Sequence, residues 1–161
     1  MKGTDLEHLR SAIALSRRSL ESGNQPFGAL LTDPHGQVLI EAESTVLTRS
    51  DCTGHAVTNL MRLASREHSF DFLTGCSVYA STEPCPMCCA AIFWGGVGRL
   101  VFALSEAVFH DLIGPDADGL RVGSRDVFAH GQRPIEVDGP ALEDEALAPH
   151  RGFWDSGKQG S

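Results

Sequence analysis

The stretch Ser81-Thr82-Glu83-Pro84-Cys85-Pro86-Met87-Cys88 ends in two cysteines three residues apart, and one histidine, His55, lies thirty residues before the first of them. A helix-like run, Ala90-Ala91-Ile92-Phe93-Trp94, follows directly. Two thiolates at this spacing at a helix start can grip one ion from the same side. The positive end of the helix also favours the thiolate form. Zinc held by Cys85, Cys88 and His55 would keep one tetrahedral position open, which a catalytic site needs and a closed structural site lacks. The plainer reading is a structural site or a set of core cysteines. A structural site needs a fourth protein ligand; Cys52 is close to His55, whereas Cys89 points to another helix face. Cys76 and Cys89 read as core residues.

The elements that must position these groups follow from hydrophobic spacing. Leu6, Leu9, Ile13 and Leu20 predict a helix over 5–22, stopped by Gly23. A strand at Phe27–Leu31, a turn at Asp33-Pro34-His35-Gly36 and a return strand from Gln37 to Val46 predict a hairpin. Thr48 to Thr53 reads as a polar loop. A second helix over 54–67 presents Val57, Leu60, Met61 and Ala64 on one side. Ser77–Ala80 is a strand running straight into the cysteine motif, whose helix over 86–95 ends at Gly95-Gly96. Residues 99–103 form another strand. The segment 105–133 predicts one short helix and a long loop. A short strand at 135–137 and a short helix over 142–148 lead to a tail with Phe153 and Trp154. His35, His68, His110 and His130 read as surface residues. Strands alternating with helices after a hairpin predict a layered α/β sheet. The cysteine motif then sits at the carboxyl end of a strand, where sites gather in such sheets.

The chain has 161 residues, 42% of them hydrophobic and 21% charged, which suits one domain over 1–155, with 156–161 expected to be disordered. Five cysteines, two of them in a metal spacing, argue against a disulfide scaffold and for the cytoplasm. No run is long enough to span a bilayer and no leader opens the chain. The net charge of −8, without a Lys/Arg cluster, argues against nucleic acid as a partner.

Pro26-Phe27-Gly28-Ala29, Gly54-His55-Ala56, Thr82-Glu83-Pro84-Cys85-Pro86-Met87-Cys88, Ala91-Ile92-Phe93-Trp94 and Arg99-Leu100-Val101-Phe102 together resemble the zinc-dependent cytidine-deaminase-like superfamily. The resemblance covers roughly residues 5–105, and within the superfamily it looks most like the guanine deaminase branch. It implies a three-layer α/β fold with a mixed five-stranded sheet between helices. It also implies a homodimer whose C-terminal segment completes an active site, often in the partner. His55, Cys85 and Cys88 would bind Zn²⁺, which activates a water for attack on an amino-bearing ring carbon, with loss of ammonia. The substrate so implied is a free aminated heterocycle, a guanine-like purine first and an s-triazine or cytosine-like ring next. The alternatives are a tRNA adenosine deaminase and a protein that holds zinc and base without turnover. Phe27, Ala56, Trp94 and Phe153 fall where the resemblance places the base pocket.

The chain departs from the family in three places. The proton-carrying Glu of His-x-Glu is replaced by Val57, which cannot move a proton. On an ideal helix residues 55 and 57 project about 200° apart, so their common placement at the metal is taken from the resemblance and not from the spacing. Two readings are open: an introduced Glu→Val change that traps a ligand, or a natural binding protein. Either way the chain as written is expected to be nearly inactive. The family's Asn, eleven residues before the histidine, is Ser44 here, which offers one hydroxyl in place of a fixed donor and acceptor pair. A second carboxylate about thirty residues past the last cysteine corresponds to Asp116 or Asp118, with Glu143 and Glu145 as further candidates. Glu83 is a candidate proton carrier, weighed against a structural hydrogen-bonding role.

Overall fold

The computed structural model describes residues 1–156. In chain order its first elements are α1 (Gly3–Glu21), β1 (Gly28–Thr32), β2 (Val38–Glu43), α2 (Val46–Arg49), α3 (Ala56–Glu67), α4 (Phe70–Leu73) and β3 (Ser77–Thr82). There follow α5 (Pro86–Gly95), β4 (Arg99–Leu104), α6 (Glu106–Ile113), α7 (Ser124–Ala129), β5 (Glu136–Asp138) and α8 (Glu143–Leu147), then short 3₁₀ turns at Ala148–His150 and Trp154–Ser156. Of the 156–161 segment expected to be disordered, 157–161 lies outside the described residues.

The strands form one mixed sheet in the order β2-β1-β3-β4-β5. β1 runs antiparallel to β2 and β3, while β3, β4 and β5 are parallel. Side chains alternate across it with a period of two. Ala29, Leu31, Val78, Ala80, Leu100 and Phe102 enter one core, and Leu30, Tyr79, Val101 and Ala103 enter the other. The inner strands are buried on both faces, hence their unbroken apolar runs. Leu9, Ile13 and Leu15 of α1, with Ala146 of α8, cover the second face. Gly28 lets α1 approach: a Cβ there would lie 2.5 Å from the Ala12 carbonyl oxygen. Leu60, Met61 and Ala64 of α3 and Cys88, Cys89 and Ile92 of α5 cover the first face.

Asp5 fixes α1 to the sheet. Its carboxylate accepts two Arg99 N–H bonds, at 2.9 and 2.8 Å, and the Tyr79 hydroxyl at 2.7 Å. The Arg99 guanidinium beside it holds the Asp5 carboxyl well below the usual carboxylate range.

Several boundaries differ from the expected ones. The return strand stops at Glu43, because residues 46–49 turn into α2 and shorten the polar loop predicted at Thr48–Thr53. The cause is distant in sequence: Asn24 Oδ1 accepts the Thr48 backbone N–H at 3.0 Å and its hydroxyl at 3.1 Å. α4 was not expected; the Ser69 hydroxyl caps it by accepting from the Phe72 N–H. The 105–133 segment holds two helices, α6 and α7, instead of one. His110 is buried, with Nε2 3.1 Å from a Glu106 oxygen, so it is not a surface residue. Among the described residues no helix is long and apolar enough to cross a membrane.

Candidate metal centre and the aromatic wall beside it

Two helix N-termini meet at the predicted metal ligands. His55 is the N-cap of α3 and Cys85 the N-cap of α5, both with extended backbone. Pro86 occupies the first position of α5, where a missing N–H costs no helical bond. Cys88 then falls at the third position, and N-cap and N3 side chains are neighbours by helix geometry. His55 Nδ1 lies 3.5 Å from Cys85 Sγ and 3.5 Å from Cys88 Sγ. The three ligand atoms are all within 4.8 Å of one another. Tetrahedral zinc with ordinary Zn–S and Zn–N bonds has S···N edges of about 3.5 Å, so the group fits that ion. Cys52 is exposed, and Cys89 Sγ instead donates to the Pro84 carbonyl at 3.3 Å. Neither joins the group, which among the described residues has three members.

The electrostatics agree with this reading. A hydrogen bond from Cys88 is the main influence holding the Cys85 thiol toward the thiolate; burial opposes it and His55 supports it. The same bond, followed by burial, pushes Cys88 up. Without a cation the two sulfurs thus share one negative charge. A divalent ion would let both ionise, as zinc ligands must.

Asn59, which sequence reasoning missed, sets the entry to α3. Its amide donates to the Glu43 carbonyl at 2.9 Å, the Thr45 hydroxyl at 3.0 Å and the Gly54 carbonyl at 3.2 Å. It thereby ties the end of β2 to the residue before His55. The only hint in the sequence is an amide on the helix that follows the histidine.

His55 precedes α3, so the helical wheel does not govern its relation to Val57. Ala56 and Val57 are the first two residues of α3, and both are buried in the core that also contains Cys88. Ser44 is buried, and its backbone N–H donates to the Phe27 carbonyl at 3.2 Å. Phe27 packs against the same core as Ala56 and Val57. Phe27, Ala56 and Val57 thus share one core with Cys85 and Cys88, and Ser44 is tied to Phe27 through its backbone. Other candidates lie elsewhere. Trp94 is 78% exposed and lines a shallow hollow with Thr58, Met61, Ala91 and Gly95. Asp116 and Asp118 are exposed in the loop between α6 and α7. The Glu143 carboxylate accepts the Ser105 N–H at 3.0 Å and hydroxyl at 2.7 Å, and Glu145 pairs with Arg10. Both oxygens of Glu83 are engaged: one accepts from the Glu106 N–H, the other from the Ser124 N–H and hydroxyl.

The C-terminal segment folds back on its own chain. Trp154 lies with its ring centroid 6.2 Å from Phe27 and 5.5 Å from Phe109. Phe153 is buried and meets Trp154 edge to face at 4.9 Å. His150, 1% exposed, packs its ring against Phe27, Phe109 and Trp154; it is a residue that sequence reading left in the tail without a role.

Comparison with known proteins agrees with this geometry. Residues 2–104 match the cytidine and deoxycytidylate deaminase zinc-binding region. The chain is 40% identical to the probable cytosine deaminase of Schizosaccharomyces pombe over 96% of its own length and 94% of that protein. It is 32% identical to the guanine deaminase of Bacillus subtilis, over 84% of this chain and 78% of that one. The structure of a guanine deaminase from Nitrosomonas europaea superposes with a TM-score of 0.75 at 25% identity, covering 92% of this chain and 83% of that one. With a His55, Cys85 and Cys88 group that could hold a metal ion at two helix starts on a mixed five-stranded sheet, the chain belongs to the cytidine and deoxycytidylate deaminase zinc-binding family.

Proposed function

We propose that this chain is built for zinc-dependent hydrolytic deamination of a free aminated nucleobase. A cytosine-like ring comes ahead of a guanine-like purine. The observation that carries the reading is the three-member group of His55, Cys85 and Cys88, together with an aromatic wall of Phe27, Phe109 and Trp154 whose Phe27 packs against the same core as Cys85 and Cys88. The order of substrates reverses the expectation from motifs alone. It rests on the nearly end-to-end likeness to the S. pombe protein, and the tail places Trp154 with its ring centroid 6.2 Å from Phe27.

His55 Nδ1, Cys85 Sγ and Cys88 Sγ would hold the zinc; when bound it would activate water as a nucleophile. The protein's own groups do the rest. Phe27 and Trp154 offer ring faces and edges to a planar base and exclude bulk water. Ser44 is buried, and its hydroxyl accepts the Val46 backbone N–H at 3.5 Å. Water adds at the ring carbon bearing the amino group, the C–N bond breaks, and ammonia and a ring carbonyl result. That sequence needs a proton carrier, and Val57 supplies none. We therefore read the chain as crippled in turnover while retaining its ability to bind zinc and base. A homodimer through the α3–α5 face, with exposed Trp94 on it, and a cytoplasmic location complete the proposal.

The test measures ammonia release by this chain and by Val57→Glu against cytosine, guanine, guanosine, adenine and aminated triazines. General acid–base groups contribute roughly 10²–10⁴-fold, and a gain of that size confined to the glutamate variant is the expected result. The panel then names the ring. A second reading, a zinc- and base-binding protein without turnover, is favoured by Val57 itself. Silence of both chains with zinc and base retained would establish it.

A further inference from the structure

His150 is buried and makes two directional contacts. Its Nδ1 lies 3.1 Å from the Trp154 indole nitrogen, and its Nε2 lies 3.2 Å from the Thr82 hydroxyl. The two rings are nearly parallel, 13° apart, with centroids 6.3 Å apart, and the indole N–H meets the imidazole nitrogen at hydrogen-bond distance. The indole N–H can only donate, so Nδ1 accepts, the proton sits on Nε2, and Nε2 donates to Thr82. The contacts thus fix one neutral tautomer. Burial, which pushes the imidazole down to about 4, keeps it neutral near pH 7.

The placement matters because of what the two partners belong to. Thr82 ends β3, three residues before Cys85, whereas Trp154 belongs to the last described turn of the chain. His150 also meets Phe27 and Phe109 edge to face, at 5.2 and 5.3 Å. One side chain therefore connects the strand that delivers the metal ligands to every ring of the aromatic wall. Apolar packing alone would let the Trp154 ring slide or rotate. A pair of buried hydrogen bonds with a fixed donor and a fixed acceptor specifies its place.

We propose that His150 is the positioning residue of this wall: it bridges Thr82 and Trp154 and so holds the Trp154 ring beside Phe27, where a planar base is received. The inference rests on the nucleobase-binding reading given above. It assigns His150 no contact with the base.

The zinc-loaded full chain in a Trp94→Phe background has Trp154 as its remaining tryptophan, so acrylamide quenching of its emission reports the tail directly. His150→Leu keeps bulk and removes both hydrogen bonds. His150→Gln keeps one acceptor and one donor. The expected result is that the leucine variant exposes Trp154 and binds 8-azaguanine and cytosine about tenfold more weakly in calorimetry. Zinc content stays the same, and glutamine restores most of both effects. Should the leucine variant not fold, Thr82→Val removes the same bond from the strand side and is expected to weaken binding likewise. Equal shielding of Trp154 in the wild-type, leucine and glutamine chains overturns the proposal, as does equal base affinity in all three. A chain in which shielding follows the expected pattern but no base binds the wild type overturns the nucleobase reading, and with it the positioning role, leaving only a structural latch.

Discussion

Glu83 and Ser124 are joined twice by one carboxylate oxygen, which accepts the Ser124 backbone N–H at 2.8 Å and its hydroxyl at 2.6 Å. The other oxygen accepts the Glu106 N–H at 2.9 Å. Glu106 and Ser124 are the first residues of α6 and α7, so one side chain satisfies orphan donors at two helix starts. It does so two residues before Cys85, and thus ties the metal loop to the segment that carries Phe109.

Removing this acceptor leaves three donors without it. Glu83→Ala is expected to cost about 2–3 kcal/mol, since hydrogen bonds to charged groups contribute roughly 1.5–3 kcal/mol. For a chain of this length that lowers Tm by about 4–10 °C. Calorimetry of the metal-loaded protein checks it. A proton-carrying role makes the opposite prediction for Glu83→Gln in the Val57→Glu background: unchanged Tm with deamination abolished.

Asp5 and Arg99 give a second prediction. Asp5 is 1% exposed and takes both guanidinium contacts, so Asp5→Asn leaves Arg99 with Asp138 and the more exposed Glu136 alone. Breaking one side of a buried pair costs roughly 3–5 kcal/mol, and the lower end is expected because Arg99 retains those partners. Urea unfolding checks it, with an unchanged m-value as the sign of a simple stability loss.

Most of the fold was legible because its signals are local. The inner strands carry unbroken apolar runs, α3 shows one apolar stripe, and Cys85-x-x-Cys88 declares its geometry through helix positions. What escaped depends on distant partners. α2 is fixed by Asn24, and α7 starts on a carboxylate forty-one residues earlier, at Glu83. Asn59 and His150 gave no motif because their roles lie in hydrogen bonds to Gly54, Thr45, Thr82 and Trp154. The departure at Val57 was visible only through the resemblance to the family's His-x-Glu motif, as was the loss of an amide at Ser44.

The pH dependence of stability follows from His150. Burial lowers its pKa from 6.5 to about 4 in the folded chain. The unfolded chain therefore binds the proton more readily, and stability falls as pH falls from 6.5 to about 4. Between pH 7 and pH 5 this group alone removes about 2 kcal/mol. Asp5 adds a separate loss at lower pH: its folded carboxyl is depressed, so its stabilising effect is present above the ordinary carboxylate range and disappears as pH drops below it. The check is the difference in urea midpoint between pH 7 and pH 5 for the metal-free wild type and for His150→Gln. A larger drop is expected in the wild type, because glutamine does not titrate.

Zinc itself is the last test. A ligand set at two helix starts binds metal only when the helices are in place, so metal affinity becomes folding stability. With free zinc at about 1,000 times its dissociation constant, the linkage is about 4 kcal/mol, and a chelator should lower Tm by roughly 10 °C. Elemental analysis is expected to find one zinc per chain. Cys88→Ser should lose it and make Tm indifferent to the chelator. Cys89→Ala is the control: its sulfur is buried against the Pro84 carbonyl, outside the ligand group. It should retain zinc and keep the chelator-dependent fall in Tm. Zinc lost from Cys89→Ala and kept by Cys88→Ser would mean that the metal is held by a different pair of sulfurs.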